Sequence, residues 1–102
     1  MIEISLCMIV KNEEKILARC LDSVADLVDE IVIVDTGSTD ATKKIAANYT
    51  DKIYDFTWVD DFSAARNFAF SKAEKDYIYT ADADEVMDEE NRKRFCELKE
   101  VL

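Results

Sequence analysis

Histidine and proline are both absent from these 102 residues, and Gly37 is the only glycine. Without histidine, a Ser-His-Asp triad, a Cys-His pair and histidine ligation of a metal are excluded within the chain. A single glycine rules out a G-x-G-x-x-G dinucleotide fingerprint, and no G-K-[ST] phosphate loop is present either. Nothing proline-rich or low-complexity marks a linker, so one domain over residues 1–102 is expected. No apolar run approaches the roughly 18–20 residues that cross a bilayer. The opening Met1-Ile2-Glu3-Ile4 lacks the basic region of a secretory signal. A cytoplasmic protein without membrane insertion is the expectation.

Basic side chains are also few: 13 Lys and Arg stand against 23 Asp and Glu, a formal net charge of −10. Nucleic acid is disfavoured as a partner, since binding it normally needs a basic face. Anionic membranes are disfavoured for the same reason. An anionic ligand could approach only where a cation neutralises the site. The cysteines, Cys7, Cys20 and Cys96, are odd in number and widely spaced. That fits neither a zinc site nor a disulfide framework, and buried free thiols are expected.

What the chain has in quantity is apolar sequence, 49% hydrophobic against 35% charged, a globular balance. A domain of this size buries roughly 60–70% of its unfolded surface, enough for a core without staples. Residues 2–10 read as a strand, and Leu6-Cys7-Met8-Ile9-Val10 is apolar on both faces, as in parallel sheets. Asn12 is a candidate helix N-cap, with Glu13 and Glu14 in the first turn. Ile16, Leu17, Cys20, Leu21 and Val24 then repeat at helical spacing. Glu30–Asp35 is a second strand. Ser38 or Thr39 can cap a helix through Ala41, Ile45, Ala46 and Tyr49. Residues 52–56 read as a short third strand, 62–74 as a third helix, and 76–81 as a fourth strand. Asp88 can cap a last helix whose stripe is Asn91, Phe95, Leu98 and Leu102. Strands alternating with helices imply an α/β fold with a three-layer, Rossmann-like parallel sheet. Right-handed crossovers favour the order 3-2-1-4.

That order gathers the ends of strands 1, 2 and 4 around one crevice, where open α/β sheets bind ligands. The first end offers Lys11-Asn12. The second offers Asp35-Thr36-Gly37-Ser38: a carboxylate able to accept from a ribose or a base N–H, and a glycine that permits a sharp turn and close approach. The fourth offers Asp82-Ala83-Asp84-Glu85. Mg²⁺ and Mn²⁺ prefer oxygen ligands and are usually held by one or two carboxylates plus substrate phosphates. A D-x-D triplet alone is common by chance, and acidic turns are often merely solvated. Arg66 is a lone cation on a helix of mostly Ala and Phe; pairing with Asp82 or Asp84 would place its fork of donors beside a metal site.

Together these segments resemble family 2 glycosyltransferases. Ile31-Val32-Ile33-Val34-Asp35-Thr36-Gly37-Ser38-Thr39-Asp40 is similar to their nucleotide-binding turn. Ala65-Arg66-Asn67 and then Tyr77 to Glu85 are similar to their helix and D-x-D strand. Ser5 to Glu14 resembles their first strand and turn. Most such enzymes have a second Asp where this chain has Thr36. The Thr form resembles a bacterial subgroup often attached to helical repeats.

The resemblance implies a GT-A fold and a nucleotide-diphosphate sugar, UDP-linked, as partner. It implies that Asp35 holds uracil or ribose within the turn that includes Gly37 and Ser38. Asp82 would lie near the ribose and the metal's water shell, and Asp84 would ligate Mn²⁺ or Mg²⁺ across the diphosphate. Arg66 would sit near the diphosphate or brace the acidic turn. Transfer would proceed with inversion. Family members run well beyond this length, so the chain reads as a truncated, nucleotide-binding half lacking the general base. Nothing marks Glu85 or Asp88 as that base. Little or no turnover is expected, and an open fourth-strand edge predicts a homodimer or swapped oligomer. Three alternatives share parts of the pattern. They are a nucleotide-sugar-binding module acting with another chain, a nucleotidyltransferase, and a receiver domain. The nucleotidyltransferase would need a glycine-rich basic loop, and the receiver would need an acidic pair after the first strand.

Overall fold

A computed structural model describes residues 2–58 and 60–101. Met1, at the head of the opening segment, and Leu102, the last position of the expected C-terminal stripe, lie outside the described residues. Four strands, β1 (Ile4–Val10), β2 (Glu30–Asp35), β3 (Ile53–Asp55) and β4 (Tyr77–Thr80), alternate with four helices. These are α1 (Leu17–Val24), α2 (Thr42–Ala46), α3 (Phe62–Lys72) and α4 (Glu89–Val101). The sheet is parallel with order β3-β2-β1-β4, as expected. No helix among the described residues is long and apolar enough to cross a membrane.

Register sorts the side chains. Leu6 pairs with Ile31 and Tyr79, and Cys7 with Val32 and Thr80, so paired residues share a face. Leu6, Met8, Val10, Ile31 and Ile33 meet Leu17, Cys20, Leu21 and Val24 of α1 on one face. On the other face Cys7, Val32 and Val34 meet Ala69 of α3. Ala65 and Ala69 are the buried residues of α3. Their small side chains let the helix backbone come close enough for the Cys7 thiol to reach the Ala69 carbonyl at 3.8 Å. Cys7 and Cys20 are buried and Cys96 is exposed, so burial holds for two of the three free thiols. Cys96 sits on α4, which has no buried residues.

Two helix starts differ from expectation. α1 begins at Leu17 without a side-chain cap, and Asn12 adopts a left-handed φ of 53°. Its Oδ1 accepts from the Thr39 N–H at 2.8 Å, while its own N–H donates to the Ser38 hydroxyl at 2.8 Å. The Glu13 N–H donates to the Thr42 hydroxyl, and Asp40 accepts from the Glu14 N–H. The two loops therefore satisfy each other, and tertiary acceptors displace the local cap. Ser38 and Thr39 do not cap α2 either; Asp40 accepts from the Thr42 N–H at 2.9 Å. α2 ends at Ala46, and Tyr49 instead donates its hydroxyl to Asp22 of α1. The Asp88 cap is present: its Oδ1 accepts from the Asn91 N–H at 2.8 Å.

At the opposite end of the sheet Glu30 is 6% exposed and ties four segments. It accepts from the Ser5 hydroxyl at 2.6 Å and the Glu74 N–H at 2.9 Å, and pairs with Lys52. Burial pushes its carboxyl up, but the bonds from Lys52, Ser5 and Glu74 outweigh that and hold it at about 2. A depressed folded pKa contributes stability that is full above the ordinary value of 4.5 and is lost as pH falls towards about 2. The shift corresponds to roughly 3 kcal/mol. Glu30→Gln should therefore be less stable than wild type at pH 7, and that penalty should shrink as pH falls from 4.5 to about 2. Urea unfolding across that range checks this; a penalty equal at every pH would contradict it.

Candidate functional site

The carboxyl ends of β1, β2 and β4 lie side by side, because β1 is central and its chain leaves towards β2 while β4 joins the other edge. A crevice opens at that end, but Asp35 and Asp82 line separate cavities in it.

At the end of β2, Asp35 is 2% exposed. Its Oδ1 accepts from the Gly37 and Ser38 N–H groups at 2.9 and 2.7 Å. Its Oδ2 is buried with no partner among the described residues. An unpaired buried carboxylate oxygen is costly and calls for a donor. Gly37 has φ 118°, and a Cβ there would meet nothing within 4 Å. The glycine is thus required for backbone conformation, and the space above it is open. Thr36, where most relatives were expected to carry Asp, turns its hydroxyl to the Val10 carbonyl at 3.2 Å and locks β2 to β1. Ser38 braces Asn12, as described, and does not stand free.

Asp35, Thr36, Gly37 and Ser38 line a cavity of about 300 Å³ with Lys43, Asp55, Phe56, Thr57 and Trp58. Lys43 and Asp55 form an ion pair at 2.7 Å. The Asp55 carboxylate, and beyond it Asp35, raise the Lys43 ammonium above the usual lysine range. Trp58 is 41% exposed, and its indole N–H donates to Asp60 at 3.0 Å. The sequence reading did not single out Lys43, Asp55, Phe56 or Trp58. For Asp55, Phe56 and Trp58 the only signal was position, since the end of a third parallel strand must emerge at the same sheet end as Asp35; Lys43, on α2, carried none.

At the end of β4, Ala83 is buried while Asp82 and Asp84 are exposed. The buried alanine anchors the turn, and the spacing of one residue presents both carboxylates outward. Glu85 closes the turn by accepting from the Asp82 N–H at 3.0 Å. The Cys20 thiol, 3.6 Å from the Asp82 carbonyl, is pushed up to about 11 by burial and by the fields of Glu85, Asp84 and Asp82. Among the described residues no group of three or more His, Cys, Asp or Glu could hold a metal by itself. Two outward carboxylates still fit a hard divalent ion whose remaining ligands are phosphate oxygens and water.

Arg66 differs from expectation. Among the described residues it pairs with neither Asp82 nor Asp84; its guanidinium lies over the Phe62 ring, 4.9 Å from the centroid. Phe62 is one turn earlier on α3, so the stacking partner is local, whereas Asp82 lines a small cavity and Asp84 is not in it. Arg66 and Asp82 both line that cavity of about 50 Å³, together with Ile9 and Thr80. Lys11 borders a neighbouring open cavity with Trp58 and Phe62.

Comparison with known proteins agrees with this geometry. A TPR repeat-containing protein of Synechococcus elongatus is 52% identical over 85 residues, covering 83% of this chain and 21% of that protein. The SPbeta prophage-derived glycosyltransferase SunS of Bacillus subtilis is 38% identical over 97 residues, covering 93% of this chain and 23% of SunS. The chain thus spans about a fifth to a third of the length of the curated relatives it matches. Among solved structures, S. aureus TarS in complex with UDP has a TM-score of 0.79 at 26% identity, covering 97% of this chain and 32% of that one. A glucosyl-3-phosphoglycerate synthase from M. tuberculosis, in complex with Mn²⁺ and UDP-glucose, has a TM-score of 0.71 at 23% identity, a likeness of fold. It covers 83% of this chain and 34% of that one. The family described as Glycosyl transferase family 2 matches residues 5–98, and this chain belongs to it.

Proposed function

We propose that this chain is the donor-binding part of a metal-dependent glycosyltransferase, holding a UDP-linked sugar for inverting transfer to an acceptor hydroxyl. The observation that carries the reading is Asp35, a buried carboxylate with one oxygen holding its own turn and the other without a partner. A uracil N–H or a ribose hydroxyl is the kind of donor that oxygen lacks. Phe56 and Trp58 give the base an aromatic wall. The UDP bound to TarS supports the same ligand class here.

Asp84 would ligate Mg²⁺ or Mn²⁺, and Asp82 would sit near the ribose and the ion's water shell. The M. tuberculosis synthase is in complex with Mg²⁺ or Mn²⁺ alongside its nucleotide, which supports a divalent ion as the cofactor class. Bound there, such an ion supplies Lewis acidity to the departing diphosphate. Arg66, unpaired with the acids of the turn, is left to meet a phosphate with its fork of donors. The acceptor hydroxyl attacks the anomeric carbon from the face opposite the diphosphate, which inverts the configuration. Our reading assigns no general base within the chain. Glu85 closes the acidic turn and Asp88 caps α4, so both nearby carboxylates have structural roles. The same fact favours a second reading, a nucleotide-sugar-binding module whose acceptor half comes from another chain. Either way, weak or absent turnover by residues 1–102 alone is expected. The proposal keeps the cytoplasmic location expected from the sequence.

The outer edge of β4 has no strand beside it among the described residues, and Tyr77 and Ile78 are 46% and 42% exposed. An open apolar edge invites pairing with a second copy. Light scattering should give a homodimer or swapped oligomer, and a monomer throughout the accessible concentration range would contradict this. For the donor site the decisive experiment is calorimetric titration with UDP and Mn²⁺. Binding should be measurable, and should weaken at least about tenfold with EDTA and with Asp84→Asn. Equal binding with and without metal would remove the metal from the proposal, and no binding at all would remove the donor site.

A further inference from the structure

From the shared cavity of Asp35 and the Lys43–Asp55 pair, we infer that Lys43 is a specificity-determining residue that selects a base carrying an N–H beside a carbonyl oxygen. The inference rests on the proposed nucleotide-binding role of this site and deepens it. Asp35 is an acceptor with an unfilled valence. Lys43 is a donor in the same cavity, held through its Nζ by Asp55 at 2.7 Å, with further N–H groups to offer. Acceptor and donor in one cavity form a two-letter code. Uracil matches it: N3–H donates to the carboxylate and an adjacent carbonyl oxygen accepts from the ammonium. Cytosine inverts it, setting a bare ring nitrogen against the carboxylate and an amino group against the ammonium. The inverted pattern is rejected because the buried Asp35 oxygen would be left unpaired.

Stability does not account for the Lys43–Asp55 pair. Its side chains are 48% and 72% exposed, and pairs so exposed contribute little to folding. What the pair does is restrain a long, flexible side chain at the cavity wall. The link spans α2 and the end of β3, two elements on the same side of the sheet as Asp35. Lys44, the next residue, makes no ion pair among the described residues, so the restraint is particular to position 43.

The test compares UDP with CDP, each titrated with Mn²⁺ into the whole chain, for wild type, Lys43→Met and Asp55→Asn. Wild type should prefer UDP by about tenfold or more. Lys43→Met should weaken UDP about tenfold and leave CDP nearly unchanged, so that the ratio collapses. Asp55→Asn should lower the same ratio by a smaller factor, since the ammonium remains but loses its tether. A merely structural role would weaken both ligands together and keep the ratio. An unchanged ratio in Lys43→Met, or a wild type indifferent to the base, overturns the inference while leaving the donor site standing. Failure of wild type to bind UDP at all overturns the donor-site reading and this inference with it.

Discussion

Everything at the site depends on β1 lying in the middle of the sheet. Its side chains are buried on both faces apart from half-buried Ile9, so the strand is stable only with partners on both sides and helices above and below. Once β2 and β4 occupy its flanks, the chain must leave β1 in one direction and return to it from the other. Their carboxyl ends then open into a shared crevice, and loops that are far apart in sequence become neighbours. Asn12 against Ser38 and Thr39 is the most direct product of that arrangement. The left-handed turn at Asn12 is tolerated because both its backbone and its side chain find partners across the crevice.

Two polarities divide the molecule along the strand direction. At the amino end of the sheet, Glu30, Ser5, Lys52 and the Glu74 amide form a satisfied network, and its carboxylate is stabilised as the anion. At the carboxyl end, acids are left unsatisfied or face outward: Asp35 lacks one partner, and Asp82 and Asp84 flank a buried alanine. The same residue types are thus structural at one end and available at the other. The difference lies in which end the loops bring donors to. An overall charge of −10 makes the second end unfavourable for any anion until a cation joins it. Arg66 and Lys11 border that end, and Arg66 stacks on Phe62 without neutralising the acidic turn.

The eight elements, their order and the sheet topology were legible because apolar runs, helical stripes and crossover handedness are local or nearly local properties. Asp35, Gly37 and the D-x-D pair were legible for the same reason: each sits at the end of a strand whose limits the residues themselves mark. The errors share one cause. Asn12, Ser38 and Thr39 were read as caps because a side chain's nearest backbone amides are its default partners. In the fold they find partners about 26 positions away. For Arg66 the residues left an acid or a phosphate as partner; the acid pair is absent among the described residues, and its guanidinium lies over an aromatic ring one turn back.

The sequence by itself therefore determined the class of fold and the strand ends, because these follow from periodicity and from residue types at fixed spacing, while the family came from its resemblance to known sequences. Only the tertiary structure decided that Asp35 keeps one oxygen unpaired, that Lys43 and Asp55 meet beside it, and that Phe56 and Trp58 wall the same cavity. Those facts depend on how α2 and the segment after β3 pack beside the end of β2. Such packing is settled by three-dimensional proximity, for which no local pattern in the chain is a proxy.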